Sequence, residues 1–342
     1  MEEKWTYWFE ELGKDAIWVA GRKCANLGEM SRAALPVPPG FAISIKAYEH
    51  FMESTGALDE IRTYLGSLGD GPKNILQWEE AGRTIREIVE SKEIPSAIRE
   101  EIASYYRALS EKCDTTELPV AVRSSGPVSM PGQFETYLNV IGIEELMAKV
   151  QECWASTFTT QAIAFRAQKS MCIESSPVGV AIQRVVRAKS AGVGFTVHPT
   201  TGDWGKMVVE GLWGMGEAVV GGATTPDRFV IDKETLQVEK NVSVKPTRVV
   251  LKDKGTGVES VPAEKQEIPC LEDYEIMRLV ELGKMLEAHY GGPQDLEWVV
   301  ADDLPFPSSV FLVQTRSVTT AKENHTTTDR IIDLMLGNVF KR

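Results

Sequence analysis

Neither cysteines at paired spacing nor a long apolar run occurs in this sequence, and each absence removes a class of function. Cys24, Cys113, Cys153, Cys172 and Cys270 are scattered without C-x-x-C spacing. No zinc site or redox pair is therefore expected, and the odd number suits a reducing compartment. No apolar stretch approaches the roughly 18–20 residues that a membrane-spanning helix requires. The first residues, Met1-Glu2-Glu3-Lys4-Trp5, lack a basic segment followed by an apolar one. They do not read as a signal peptide, so a cytoplasmic location is expected. Positive charge is also scarce: 37 Lys and Arg against 49 Asp and Glu leave a net charge of −12. Coating nucleic acid or an anionic membrane needs a basic face, so neither is an expected partner. An anionic small ligand would have to find local cations. Internal repeats and low-complexity tracts are absent.

What is present is an ordinary globular composition, 43% hydrophobic and 25% charged over 342 residues. That length supports a well-buried core divided into two or three packed subdomains. Leu27, Met30 and Ala34 at helical spacing predict a helix over 21–34, opened by glycine and stopped by Pro36, Pro38 and Pro39. A strand pattern follows at 41–45. Residues 46–112 read as polar-faced helices with breaks at 66–72 and at Pro95, then a short buried strand at 118–122 and a Ser/Gly/Pro loop over 123–132. A helix is predicted over 143–170 and another over 272–290. Strand patterns recur at 178–186, 193–197, 206–210, 228–232, 236–239, 296–300 and 310–314. Several of these are joined by short turns, which favours an α+β arrangement with mostly antiparallel sheets over a doubly wound parallel one. The tail from 321 begins polar and ends in Ile331, Ile332, Leu334, Met335 and Leu336, a short amphipathic helix expected to pack on its own domain or, less commonly, to dock a partner.

Four segments could carry chemistry. Lys23 follows Gly21 at a helix start, where a lysine can meet a phosphate drawn by free backbone N–H groups; a solvated surface lysine is the plainer reading. Arg123 leaves an apolar strand into the loop Ser124-Ser125-Gly126-Pro127. Such a loop offers N–H groups and hydroxyls to phosphate oxygens beside a guanidinium fork, and a structural arginine paired with a carboxylate fits equally. The glycine-dense stretch from Glu210 to Gly222 implies positive φ angles or close approach to a ligand, with tight turns as the alternative. His198, before Pro199, reads as a loop or packing histidine. In the fourth segment, alternation puts Asp295 and Glu297 on one face of a strand, and Gln314 and Arg316 on one face of the next. If those strands pair, hard oxygen donors from Glu297 and Gln314 suit Mg²⁺ on ATP phosphates and Arg316 can neutralise charge. A Glu297–Arg316 ion pair would explain part of the same pattern without a ligand.

In this order the segments resemble the N-terminal nucleotide-binding, ATP-grasp domain of the phosphoenolpyruvate synthase and pyruvate phosphate dikinase family, over about residues 18–320. Gly21-Arg22-Lys23-Cys24-Ala25-Asn26-Leu27-Gly28-Glu29-Met30 is similar to the family's Gly-Gly-Lys-Gly-Ala-Asn-Leu-Gly-Glu-Met, with Arg22 and Cys24 in place of glycines. The Arg123 loop resembles the dikinase version, with Pro127 where that version often has arginine. The resemblance implies an α+β ATP-grasp fold of mostly antiparallel sheets with flanking helices, the nucleotide lying between subdomains. On that basis 1–178 is the N-terminal lobe, 179–320 the C-terminal lobe and 321–342 a tail. It further implies that Lys23, Arg123 and Arg316 contact phosphates and act in transfer. Thr136 would lie nearby, Gln183 near the adenine, Glu297 and Gln314 would hold Mg²⁺, and Asp295 would support ribose or metal contacts.

Family enzymes carry the phosphoryl group on a histidine in a Thr-Ser-His-Ala-like motif, and none of His50, His198, His289 and His325 stands in one. The resemblance therefore implies a separate subunit that supplies the phosphoryl-accepting histidine domain, as in the split phenylphosphate synthase system. The final acceptor would be a small phenol, alcohol or pyruvate, with AMP and phosphate released. Two other functions fit the same residues: direct ATP-dependent phosphorylation of a small alcohol or phenol, and a non-catalytic nucleotide-sensing regulatory subunit.

Overall fold

Two groups of antiparallel strands, parted in the sequence at Val185 and Val186, organise the chain. A computed structural model describes residues 4–69, 71–128, 135–169, 171–174, 176–217 and 224–318. One unit holds the described residues up to Glu29 together with Pro39–Val185; the other holds Met30–Pro38 and those from Val186 onward.

The first unit is built on a five-stranded sheet in the order β1 (Thr6–Trp8), β2 (Gly40–Ile43), β5 (Gly179–Arg184), β3 (Val120–Ser125) and β4 (Thr136–Val140), every pair antiparallel. Alternation gives this sheet two unlike faces. Phe41, Ile43, Val120, Val122, Val180 and Ile182 point into a core shared with Phe51, Ile61, Ile85, Ile102, Trp154 and Phe158. Those partners come from helices α2 (Ile45–Ser54), α3 (Ala57–Ser67), α4 (Ile75–Glu90), α5 (Ser96–Lys112) and α6 (Ile143–Ala155), and from the 3-10 turn Ser156–Phe158. The opposite face carries Gly40, Ala42, Ala121, Ala181 and Gly179, small enough for helix α1 (Ile17–Arg32) to lie close. A Cβ on Gly179 would sit 2.4 Å from the Ala20 carbonyl oxygen.

Side-chain capping sets several helix starts. Ser44 accepts from the Ala47 N–H at the start of α2, and Asn74 from the Gln77 N–H at the start of α4. The single helix expected over 143–170 is two, α6 and α7 (Thr160–Gln168). Ser156 and Thr157 turn their hydroxyls back onto the Cys153 and Trp154 carbonyls, and Thr159 then caps α7. Arg166 of α7 is fully buried and donates to the carbonyls of Thr157, Ala162 and Ile173, which holds this corner together. Strand β5, assigned from sequence to the second lobe, is the central strand of the first unit's sheet. Its apolar run is buried on both faces, as a central strand demands.

The second unit contains a six-stranded antiparallel sheet in the order β13 (Val310–Ser317), β12 (Gln294–Ala301), β6 (Ala188–Phe195), β7 (Lys206–Trp213), β8 (Asp227–Asp232) and β9 (Val238–Asn241). Helix α8 (Asp273–Tyr290) covers one face, where Gly283 fits against Met207 and Thr196. A two-stranded hairpin, β10 (Thr247–Leu251) and β11 (Thr256–Ser260), was not foreseen. The α+β, antiparallel architecture is the expected one. Among the described residues no helix is long and apolar enough to cross a membrane. The expected tail helix and most of the glycine-dense stretch after Glu217 lie outside the described residues.

One buried ion pair anchors the irregular part of this unit. Lys245 and Asp227 have fully buried side chains 2.6 Å apart. Asp227 also accepts from the backbone N–H groups of Ser243 and Cys270, tying two loops to the start of β8. Removing one partner strands a charge without water, at a cost of about 3–5 kcal/mol. Lys245→Met is therefore expected to lower the stability of the second unit by that amount in urea unfolding, whereas Lys252→Met, at an exposed pair with Glu259, should leave it nearly unchanged.

Candidate functional site

In the first unit the candidate cations are set by a backbone contact. Helix α1 is broken at Gly21, where φ is 81° and ψ 164°. A Cβ there would lie 1.8 Å from the Ser125 carbonyl oxygen, so positive φ and close approach both require glycine. The helix resumes with the Arg22 N–H donating to the Gly126 carbonyl at 2.9 Å and the Cys24 N–H donating to Ser125 Oγ at 3.1 Å. This corrects the expectation of free N–H groups around Lys23, since two first-turn donors are satisfied by the end of β3. Lys23 itself is half-buried between those two anchors.

Arg123 also sits differently from the expectation. It lies within β3 rather than in a loop beyond it, directly opposite Thr136 of β4 on one side and Ala181 of β5 on the other. Gln183 follows two residues after Ala181, opposite Ala121 and Gly40, and is buried. Cross-strand partners share a face, so Arg123, Thr136 and Gln183 all belong to the face that receives α1. Lys23 and Arg123 both act on the thiol of Cys24, drawing its pKa down against the burial that lifts it to about 11. Both cations thus act on one point. Residues 129–134 of the Arg123 loop lie outside the described residues.

In the second unit the strands expected to pair do so. Asp295 of β12 stands opposite Arg316 of β13, and Glu297 opposite Gln314, in adjacent rows of the face away from α8. Arg316 Nε lies 3.4 Å from Asp295 Oδ2, and the cross-strand neighbour of Glu297 is the Gln314 amide. Burial lifts the Asp295 pKa to about 6, opposed by Arg316 and assisted by Glu297. Glu297 is half-buried and Gln314 buried. A carboxylate beside an amide oxygen is a donor set that suits Mg²⁺, which takes only one or two protein oxygens when phosphates and waters fill its other positions. Among the described residues no three or more His, Cys, Asp and Glu side chains are grouped to hold a metal ion by themselves. The residues present therefore fit a nucleotide-borne ion better than a resident one.

Glu210, at the edge of the glycine-dense stretch, is a residue that sequence spacing does not single out. It lies on β7, only 3% exposed, in the same row as Glu297 and Gln314: Gln314 faces Glu297, Glu297 faces Val193, and Val193 faces Glu210. Burial lifts its pKa to about 7 despite Arg228, whose Nε is 3.7 Å from Glu210 Oε1. The sequence signal was there, a carboxylate closing the apolar run Met207-Val208-Val209. His198 is a turn residue, its Nδ1 accepting from the Thr201 N–H and its backbone N–H donating to Asp203, with burial and Arg228 lowering its pKa.

A carboxyl whose pKa is raised on folding binds its proton more tightly in the folded chain. Its penalty is absent below the ordinary value of 4.5 and complete above about 7. Glu210→Gln is accordingly expected to stabilise the ligand-free protein by about 1–3 kcal/mol at pH 8 and to leave it unchanged near pH 4.5, read from urea unfolding at both values. A loss of stability at pH 8 would contradict this account of the site.

The model of the family described as pyruvate phosphate dikinase, AMP/ATP-binding domain, matches residues 17–333. A probable phosphoenolpyruvate synthase of Staphylothermus marinus is 40% identical over 92% of this chain and 41% of its own length. That of Methanothermobacter thermautotrophicus is 38% identical over 94% and 47%. The phosphoenolpyruvate synthase of Pyrococcus furiosus is 33% identical over 95% and 45%. The chain thus spans less than half the length of each of these relatives. With its family model matched across both units, the chain belongs to the ATP-grasp-type AMP/ATP-binding domain family of pyruvate phosphate dikinase and phosphoenolpyruvate synthase.

Proposed function

We propose that the chain binds ATP with Mg²⁺ and drives transfer of a phosphoryl or pyrophosphoryl group to a histidine supplied outside this sequence, for delivery to a small acceptor such as pyruvate, a phenol or an alcohol. The observation that carries this reading is the row Glu297–Gln314 beside the row Asp295–Arg316 on one sheet face. A structural ion pair would need only the second of these.

Each side chain has a part that its chemistry supports. Lys23 and Arg123 neutralise phosphate oxygens, the lysine as a point charge and the arginine as a bidentate fork. Thr136, opposite Arg123, offers a hydroxyl to the same oxygens. Gln183 provides a buried amide able to pair with the donor and acceptor edge of adenine. Glu297 and Gln314 would hold the Mg²⁺, which when bound supplies positive charge to the phosphates. Asp295 fixes the Arg316 guanidinium, so that this cation meets developing charge without reorganising. None of these groups needs to form a covalent bond; the chain contributes position and charge neutralisation.

The test is transfer of radiolabel from ATP to protein histidine, with the chain mixed with a histidine-bearing domain of the same family. Arg123→Met and Glu297→Gln are each expected to slow labelling by about 10²–10³-fold without loss of folding. Labelling that survives both substitutions, or no labelled histidine in the wild-type mixture, would overturn the assignment.

A further inference from the structure

In the first unit the proposed chemistry uses the sheet face that receives α1, while the helical layer on the other face holds a cavity that it leaves unused. The cavity measures about 510 Å³ and lies between the start of α4, the end of α7 and the segments that flank them. That is the size of an ordinary small-molecule site. Helix α4 meets the start of α7 closely at Gly82, where a Cβ would lie 2.9 Å from the Phe158 carbonyl oxygen. One turn earlier the α4 residue is Trp78, and the space opens beside its ring.

Hydrogen bonds fix both walls. On one side the Trp78 indole N–H donates to the Pro72 carbonyl at 2.9 Å, and the Lys73 backbone N–H donates to Gln77 Oε1 at 2.8 Å, so the indole and the 71–73 segment are held together. On the other side Arg166 carries the chain over 171–173. Its carbonyl accepts from the Met171 N–H at 2.8 Å, and its Nη1 donates to the Ile173 carbonyl at 3.1 Å. Arg166 is 1% exposed, and among the described residues its guanidinium meets backbone carbonyls and the Phe158 ring rather than a carboxylate. Burial lowers its pKa to about 10. A buried cation without a counter-ion thus stands directly behind one wall of the cavity.

The lining sets the class of ligand. Pro72, Trp78, Met171 and Ile173 supply apolar surface, and a thioether beside an indole suits a further aromatic ring. Polar side chains come from the exposed Lys73 and Gln168. No carboxylate lines the cavity among the described residues, in a chain whose net charge is −12. With Lys73 on the lining and Arg166 behind the 171–173 wall, the charge that fits is negative. A lysine ammonium is a point charge that accepts a carboxylate without two-pronged alignment.

We infer that this cavity binds a small aromatic carboxylate, its ring against Trp78 and Met171 and its anionic end at Lys73 and Gln168. The site is independent of the proposed ATP chemistry. Trp78 and Ile173 pack on the core beneath the helices, whereas Arg123 belongs to the opposite face of the same sheet. Occupancy of one site therefore leaves the other open.

The experiment is calorimetric titration of the full chain with naphthoate, and with the matching neutral alcohol naphthylmethanol, in the presence and absence of an excess of non-hydrolysable ATP analogue. Naphthoate is expected to bind once per chain with Kd below about 1 mM, equally in both conditions, and the alcohol about tenfold more weakly. Lys73→Met should weaken naphthoate by about tenfold and leave the alcohol unchanged. Ala167→Phe, which fills the cavity, should abolish binding of both while keeping the thermal unfolding of wild type. A readout that needs no substitution is the Trp78 indole N–H resonance in the nuclear magnetic resonance spectrum, which should shift on adding naphthoate. No heat and no Trp78 shift, equal affinity for acid and alcohol, or full binding in Ala167→Phe would overturn the inference. Binding that disappears when the analogue is present would also overturn it, by assigning the acid to the nucleotide site.

Discussion

Strand register between β12 and β13 decides which chemistry the second unit can display. Side chains alternate with a period of two, so a slip of one residue would turn Glu297 toward α8 and replace it on the open face with an apolar neighbour. The register is pinned beside that carboxylate. Trp298 lies over Gly192 and Gly211, where any Cβ would strike it, and its indole N–H donates to the Val193 carbonyl at 3.0 Å. Just before it, the β12–β13 pairing shifts between Glu297 and Trp298, a bulge that sets Gln314 against Glu297 and Leu312 against Trp298. Beyond it, on the same face, Ala191, Val299, Phe311 and Val313 form an apolar patch. Polar rows and an apolar patch thus adjoin on one surface, as a ligand with charged and aromatic parts requires.

The first unit reaches a related end by different means. Its sheet buries one face under five helices and leaves small residues on the other, so that α1 can approach to backbone distance. The cations there are held by where their main chains are, Lys23 by the resumed helix after Gly21 and Arg123 by its place between β4 and β5. Preorganisation of this kind costs little at binding, because the ordering of the backbone is already complete in the fold.

Much of this was legible in the residues, and the limits were physical. Alternation is a local property, so Asp295 with Glu297 and Gln314 with Arg316 could be read from spacing alone. Which strands neighbour which is not local, and this hid Glu210: its row becomes visible only when β7, β6 and β12 are known to be adjacent. Short edge elements escaped too. Strand β1 has three residues, and the β10–β11 hairpin is half exposed, so neither shows a strong apolar pattern. The break between α6 and α7 was readable in Ser156, Thr157 and Thr159, whose hydroxyls compete with helix carbonyls and amides. The tail from 321 and the Ser129–Gly132 part of the Arg123 loop lie outside the described residues.

The joint between Gly21 and the end of β3 is made by main-chain atoms and one hydroxyl. Arg22 and Cys24, the two departures from the family's glycines, join it through their amides and their side chains alike, the Arg22 guanidinium reaching the Pro127 carbonyl and the Cys24 thiol lying buried against Ser125. Intolerance at Gly21 follows from the backbone contact itself. A hinge welded through the polypeptide lets Lys23 follow any displacement of the Arg123 strand as though the two were mounted on a common plate.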